Sequence, residues 1–342
     1  MKTDLKGMDR RQTEAWFKRM GLAAYRARQV RHWLFNRMAD SFEEMTNLSK
    51  GLRSLLEDKA YICHLNKVKT QVSSDGTEKQ LFRLDDGYFI ESVLIPERDH
   101  YTLCISSQVG CAMGCRFCLT AKQGLKRDLT PSEIIEQVIQ VKRSMGDPNR
   151  LTNLVLMGMG EPLANYDSVI KAVGNLIAED GMNFSHRKVT LSTCGLVPKM
   201  RRLGHDIMVN LAVSLNAADD ETRSFLMPVN RKYSLKSLLS ACRDFPLPNR
   251  RMITFEYILI EGINDSHEDA LKLAKLLSGI RAKINLIPLN YHHALDMMPP
   301  SMECVLNFQE TLIENRFTAI IRKSKGQDIL AACGQLSGVY RG

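Results

Sequence analysis

The sequence predicts an α/β fold: an open, partial barrel of parallel strands with crossover helices, preceded by a small helical domain and an antiparallel β extension. Three observations predict it. Two short amphipathic helical patterns rich in Arg and Lys occupy the first 40 residues; apolar and polar residues alternate with period two from about 62 to 106; and helices and strands follow one another regularly after residue 130.

Residues 9–20 and 25–37 read as helices broken at Gly21, with Trp16, Phe17, Met20, Val30, Trp33 and Leu34 on their apolar stripes, and a third helix is expected around 50–59. At helical spacing the two tryptophans read as core. Stretches 65–72, 79–84, 88–95 and 101–106 alternate as strands, punctuated by Asp75-Gly76 and Asp86-Gly87 turns. Glu91 stands inside the third, a costly place for a carboxylate unless it faces a cleft. Thr130-Pro131-Ser132-Glu133 then opens a helix to 145 with a cap followed by proline. Strands are expected at 151–157, 188–192, 208–215, 252–259, 283–288 and 318–322, separated by helices at 166–179, 196–203, 234–243, 266–278 and 301–314. Counting the strand at Tyr101 gives about seven, short of the eight that close a barrel, and the gap would admit a large substrate. The expected divisions are a basic helical domain at 1–60, a β extension at 61–98, the barrel at 99–322 and a C-terminal segment at 323–342.

The 342 residues carry 47 Lys and Arg against 38 Asp and Glu, a net charge of +9. Ten of the cations and only three acids fall in residues 1–37. Such an excess fits phosphate-backbone binding, and equally a solvated helix face. Clusters at Lys199/Arg201/Arg202, Arg250/Arg251 and Arg322/Lys323/Lys325 could extend the track. The first residues lack an apolar signal region, and no run of about 18 apolar residues could span a bilayer, so a cytoplasmic protein without membrane attachment is expected. Nine cysteines, an odd number, argue for metal or redox chemistry over a disulfide scaffold.

Three of those cysteines lie within eight residues, Cys111-Ala-Met-Gly-Cys115-Arg-Phe-Cys118. Thiolates this close converge on one soft metal centre, either zinc with a remote fourth ligand or an iron–sulfur cluster. No fourth cysteine follows at the usual spacing. Three ligands to a four-iron cluster leave one iron open to a small molecule. At the end of the 151–157 strand, Gly158-Met159-Gly160-Glu161 combines glycines that let backbone approach a ligand with a carboxylate that can accept from an ammonium group; a tight turn explains the glycines as well.

The Cys-x3-Cys-x2-Cys spacing, with Phe117 before the last cysteine, resembles the radical S-adenosylmethionine (SAM) superfamily. The longer string from Cys104 through Cys118 to Leu-Thr-Ala-Lys-Gln-Gly124 resembles its RlmN/Cfr family of RNA methyltransferases, and the similarity runs over most of the chain. The resemblance implies a six-fold βα arrangement, one [4Fe-4S] cluster on Cys111, Cys115 and Cys118, and SAM held by Gly160, Glu161, Ser192, Ser214, Leu215, Asn216 and Asn290. Asn216 stands where the family often has histidine. It further implies that Cys333 is methylated by one SAM and that its S-methyl group loses hydrogen to a 5′-deoxyadenosyl radical made from a second. Glu91 would then accept the C2 proton of adenine, and Cys104 would release the product by a transient disulfide with Cys333. The implied partners are 23S rRNA and tRNA, a flavodoxin-like electron donor and a disulfide reductant; a monomer is expected. Cys63, Cys194, Cys242 and Cys304 match no functional position. Two other readings stay open on the sequence: methylation at adenine C8, as in the Cfr branch, and a non-catalytic RNA-binding protein stapled by zinc.

Overall fold

A computed structural model describes residues 2–338 of the chain. Its first helices are α1 (Arg10–Arg19), α2 (Ala24–Arg31), which continues into a π-helical turn at His32–Asn36, and α3 (Lys50–Lys59). Asp9 and Gln12 form a capping box that starts α1, and Ser49 caps α3. Phe17, Val30, Leu34, Phe35, Leu52 and Leu56 are buried between them. Both tryptophans belong to this packing. The Trp16 indole donates to Thr3 Oγ1 at 3.2 Å and that of Trp33 to Asn47 Oδ1 at 2.6 Å.

Two of the N-terminal cations are not surface groups at all. Lys6 is fully buried, ion-paired with Glu136 and donating to the Cys63 carbonyl at 3.0 Å. Arg31, 1 % exposed, reaches Asp180 at 3.0 Å and Asn175 Oδ1 at 3.1 Å. These bonds fasten the helical domain to the barrel. Breaking a buried pair of this kind by removing one partner costs about 3–5 kcal/mol, because the other charge is left without its counterpart. Lys2, Arg10, Arg11, Lys18, Arg19, Arg28 and Arg37 remain exposed.

Ten strands form one sheet: β1 (Asn66–Val72), β2 (Glu78–Arg83), β3 (Phe89–Pro96), β4 (Tyr101–Cys104), β5 (Leu151–Leu156), β6 (Val189–Thr193), β7 (Asn210–Ser214), β8 (Ile253–Leu259), β9 (Ala282–Pro288) and β10 (Thr318–Ile321). Their spatial order is their order in sequence, β10 at one edge and β1 at the other. β4 to β10 are the seven expected parallel strands. The β extension expected at 61–98 is joined to the barrel sheet: β3 pairs antiparallel with β4, so the ribbon continues that sheet edge to edge. After the short α4 (Leu119–Lys122), the helices are α5 (Pro131–Ser144), α6 (Tyr166–Ile177), α7 (Val197–Asp206), α8 (Asp220–Leu226), α9 (Leu235–Arg243), α10 (His267–Leu277) and α11 (Met302–Glu314). Of these, α8 has no counterpart among the predicted elements. The capping box of Thr130 and Glu133 opens α5 as its sequence indicates.

Buried Ile134, Val138, Val173, Leu211, Ile253, Phe255 and Ile284 belong to one continuous apolar core between sheet and helices. Such a core makes the sheet rigid and leaves its carboxyl edge to carry functional groups. Over that edge lies the C-terminal segment. Leu119 N–H donates to the Gly334 carbonyl at 2.8 Å, and Thr120 Oγ1 to the Leu336 carbonyl at 2.6 Å. No helix among the described residues is long and apolar enough to cross a membrane.

Candidate active site

The carboxyl ends of β5 to β9, the cysteine loop and the C-terminal segment enclose one cavity. Cys111, Cys115 and Cys118 all line it. Their loop is pinned from outside: Cys111 N–H donates to the Gly124 carbonyl and Arg116 N–H to the Leu226 carbonyl at 3.0 Å. Phe117, Leu226, Met227, Ile260 and Leu289 form an apolar wall behind it.

Burial pushes the Cys111 thiol up to about 12 and raises Cys115 and Cys118 as well. Thiols raised in this way keep their protons unless a cationic centre displaces them. Their soft donor set suits an iron–sulfur cluster.

Gly160, Glu161, Ser192, Ser214 and Asn216 line the same cavity. Gly160 takes φ +97°, and a Cβ there would stand 2.5 Å from Gln108 Cβ, so only glycine lets this loop close over the end of the sheet. Glu161 is buried, its oxygens accepting N–H groups of Leu163 at 3.0 Å and Cys194 at 2.8 Å; desolvation raises its pKa. Asn216 sits at φ +58° with Oδ1 accepting from Ile258 N–H at 2.8 Å. Part of its amide therefore serves the scaffold. Leu215 is buried outside the cavity lining, and Asn290 faces a second, adjoining cavity.

That second cavity contains Cys104, Asn290 and Arg322. Cys333 lines both cavities. Asn290 Nδ2 donates to the Cys333 carbonyl at 3.0 Å, and its Oδ1 accepts from Gln327 at 2.9 Å, so its amide positions the segment that carries the thiol. Cys104 is buried and its thiol pushed up to about 12 by desolvation first and by the Cys333 sulfur second. Glu91 lines neither cavity. It lies 3.3 Å from Lys79 Nζ and accepts the N–H groups of Ser337 at 2.7 Å and Gly338 at 2.9 Å.

Sequence reasoning missed three charged groups here. Arg322, read as part of a surface cluster, is half-buried beside Cys104 and Cys333; the Cys333 sulfur first, then Glu256 and Cys104, raise its pKa against the effect of burial. Arg223 is fully buried and donates to the carbonyls of Leu215, Cys194 and Ser214 at 3.0, 2.7 and 3.1 Å, clamping the ends of β6 and β7. Glu256 stands in the floor of the first cavity, on an otherwise apolar strand; a carboxylate among Ile-Thr-Phe and Tyr-Ile-Leu was the signal available.

A partial parallel barrel, with three thiols on one loop and a glycine–glutamate turn opposite, defines a radical SAM enzyme, a class that works with a [4Fe-4S] cluster and SAM. The radical SAM superfamily model matches residues 105–274, and the model of the ribosomal RNA large subunit methyltransferase N-terminal domain matches residues 3–62. The chain is 53 % identical to the dual-specificity RNA methyltransferase RlmN of Desulfosudis oleivorans, over 98 % of this chain and 90 % of that protein. It is 54 % identical to the protein of that name from Geobacter sulfurreducens, over 98 % and 92 %. Among solved structures, a radical SAM methyltransferase from Sphaerobacter thermophilus superposes with a TM-score of 0.93 at 43 % identity, covering 98 % of this chain and all of that one. This chain belongs to the RlmN family of dual-specificity RNA methyltransferases.

Proposed function

We propose that the protein methylates C2 of specific adenosines in 23S rRNA and in tRNA next to the anticodon, using Cys333 as methyl carrier and two molecules of SAM. The observation that carries this reading is the place of Cys333 in the wall between two cavities, one lined by the cluster cysteines and the other by Cys104. A carbon on its sulfur is presented to radical chemistry on one side, while the sulfur itself is open to a second thiol on the other.

Adenine C2 is not nucleophilic, so the methyl group of SAM cannot pass to it directly. Cys333 thiolate takes that carbon by displacement, forming S–CH3 as the sulfonium C–S bond breaks. Cys111, Cys115 and Cys118 would hold the cluster, which together with SAM would supply the one-electron chemistry that takes a hydrogen from the S-methyl group. Gly160, Glu161, Ser192, Ser214 and Asn216 hold SAM in this reading, with Leu215 behind them. Cys333 would keep the carbon in place while it joins C2; the cluster held by Cys111, Cys115 and Cys118 would take back the one electron that the adduct must lose, and Glu91 would take the C2 proton. Cys104 then attacks the Cys333 sulfur; the S–S bond forms, the electron pair of the broken S–C bond stays with the carbon, and protonation there completes the methyl group. An external dithiol reopens the disulfide. The role of Glu91 rests on the resemblance, and in the free protein its carboxylate also holds Lys79 and the segment after Cys333.

Exposed cations of the helical domain would hold RNA phosphates, with the target base extruded from single-stranded or loop RNA into the cavity. A flavodoxin-like donor would supply electrons, to a monomer working in the cytoplasm. Nucleoside mass spectrometry after anaerobic reaction with rRNA or tRNA, SAM and a strong reductant tests the proposal. 2-Methyladenosine is the expected product; 8-methyladenosine as the main product would assign the Cfr-like chemistry instead, and protein holding zinc without iron or sulfide would remove the radical reaction altogether.

A further inference from the structure

Glu256 is 7 % exposed and lines the cluster-side cavity. Its Oε2 accepts from Ser192 Oγ at 3.0 Å, whereas Oε1 is buried with no hydrogen-bond partner among the described residues. The nearby cation does not satisfy it: Arg322 lines the adjoining cavity and feels its charge, yet donates no hydrogen bond to Oε1. A buried carboxylate oxygen without a donor is unfavourable, so the site is complete only when a ligand brings one.

We infer that Glu256 is a further SAM-positioning residue, whose free oxygen accepts a hydrogen bond from a ribose hydroxyl of the bound nucleoside. This rests on the SAM-binding reading of the cavity. Strand order decides which part of SAM lies over Glu256. The glycine–glutamate turn, which faces the methionyl end, follows β5, while Glu256 is on β8, three strands further along the sheet. Glu256 is in register with Ser214 on parallel β7, so the two side chains leave the same face of the sheet as neighbours. The donors of SAM are its ammonium group at one end, the adenine amine at the other and the ribose hydroxyls between them. A hydroxyl on a buried carboxylate makes a short, charge-assisted bond.

The test uses the cluster-reconstituted full-length protein under anaerobic conditions, with E256Q as the variant, since glutamine keeps the shape of the side chain and can still accept from Ser192. Equilibrium dialysis measures SAM, S-adenosylhomocysteine and the 2′-deoxy and 3′-deoxy forms of S-adenosylhomocysteine; iron, sulfide and circular dichroism report cluster and fold. The wild-type protein is expected to bind one deoxy form about 10- to 100-fold more weakly than S-adenosylhomocysteine, and E256Q to bind S-adenosylhomocysteine weaker by a similar factor while no longer distinguishing the two. Equal wild-type affinity for all three nucleosides overturns the inference even if the variant fails to fold. So does a loss in E256Q that is the same for all three, or that affects SAM alone, which would turn the carboxylate toward the sulfonium. Wild-type protein that binds no SAM would sink the enzyme reading itself, and this inference with it.

Discussion

The cysteine loop at 111–118 and the C-terminal segment at 326–338 face each other across one cavity, and each brings thiol chemistry to it, but they are held there by opposite means. The loop is local. Its three thiols fall within eight residues of sequence, and of its hydrogen bonds one runs to nearby Gly124 while another, from Arg116, reaches across to Leu226. The C-terminal segment has almost no regular structure, and its anchors lie far away: Glu91 on β3 holds Ser337 and Gly338, Asn290 holds Cys333, and Lys79 Nζ donates to the Leu330 carbonyl at 3.2 Å. Asp328 reaches Ser73 Oγ at 2.6 Å, and Asp75 accepts Gly326 N–H at 3.1 Å. The proposed metal-ligand set can therefore be encoded by spacing alone, whereas the place of the proposed carbon carrier has to be encoded by the whole fold.

The largest expected effect separates the two regions outright. Cys115→Ala should strip the protein of iron and sulfide and lower RNA methylation by roughly 10^4 or more; a variant that keeps a full cluster would show that the loop is not the metal centre. Cys333→Ala should lose turnover to a similar extent yet keep its iron, and methylation surviving in that variant would remove the carrier role. A smaller change falls on the anchors. Asn290→Ala leaves the Cys333 carbonyl and the Gln327 amide without partners, at a cost of about 1–3 kcal/mol confined to the segment. Proteolysis or hydrogen exchange within 326–338 should quicken while iron content stays constant. If SAM affinity falls instead and the segment stays protected, Asn290 is a cofactor contact and not an anchor.

The smallest effect is one of pH. Asp75 feels some desolvation, but bonds from Thr77, Gly326 and Ser73 hold its carboxyl at about 2, below the usual 3.8. A depressed folded pKa stabilises above the unfolded value and loses that contribution as pH falls toward the folded one. In cluster-free protein the hold on Gly326 should thus persist at pH 5 and weaken between about 4 and 2, seen as faster exchange in 326–338; Asp75→Asn should reduce the pH dependence, with Asp328, which bonds from Ser73 and Ser74 also hold below its usual value, contributing the rest. An unchanged profile in that variant would put the acid sensitivity elsewhere.

The same contrast explains what the sequence disclosed. Alternation of helix and strand made the seven parallel strands legible, and the cysteine spacing with Gly158-Met159-Gly160-Glu161 made one side of the cavity legible, because both patterns are local. Lys6 and Arg31 looked like RNA-binding cations, since nothing near them in sequence announces Glu136 or Asp180 as partners more than a hundred residues away. Arg322 looked exposed for the same reason. Glu91 was recognisable as a carboxylate out of place in a strand, but its bonds span 246 and 247 residues and leave no periodic trace. Glu256 offered the same clue on β8 and could have been found by it.

Because the sheet is laid down in strict order from β1 to β10, every strand can pair with one already made as the chain emerges from its amino end. The tail closes instead onto the oldest part of that sheet, the ribbon bearing Lys79 and Glu91. A nascent or prematurely terminated polypeptide that stops short of residue 326 can thus display the thiols of Cys111, Cys115 and Cys118 and still lack Cys333, the sulfur proposed to bear the carbon, which arrives last and docks only on a finished molecule.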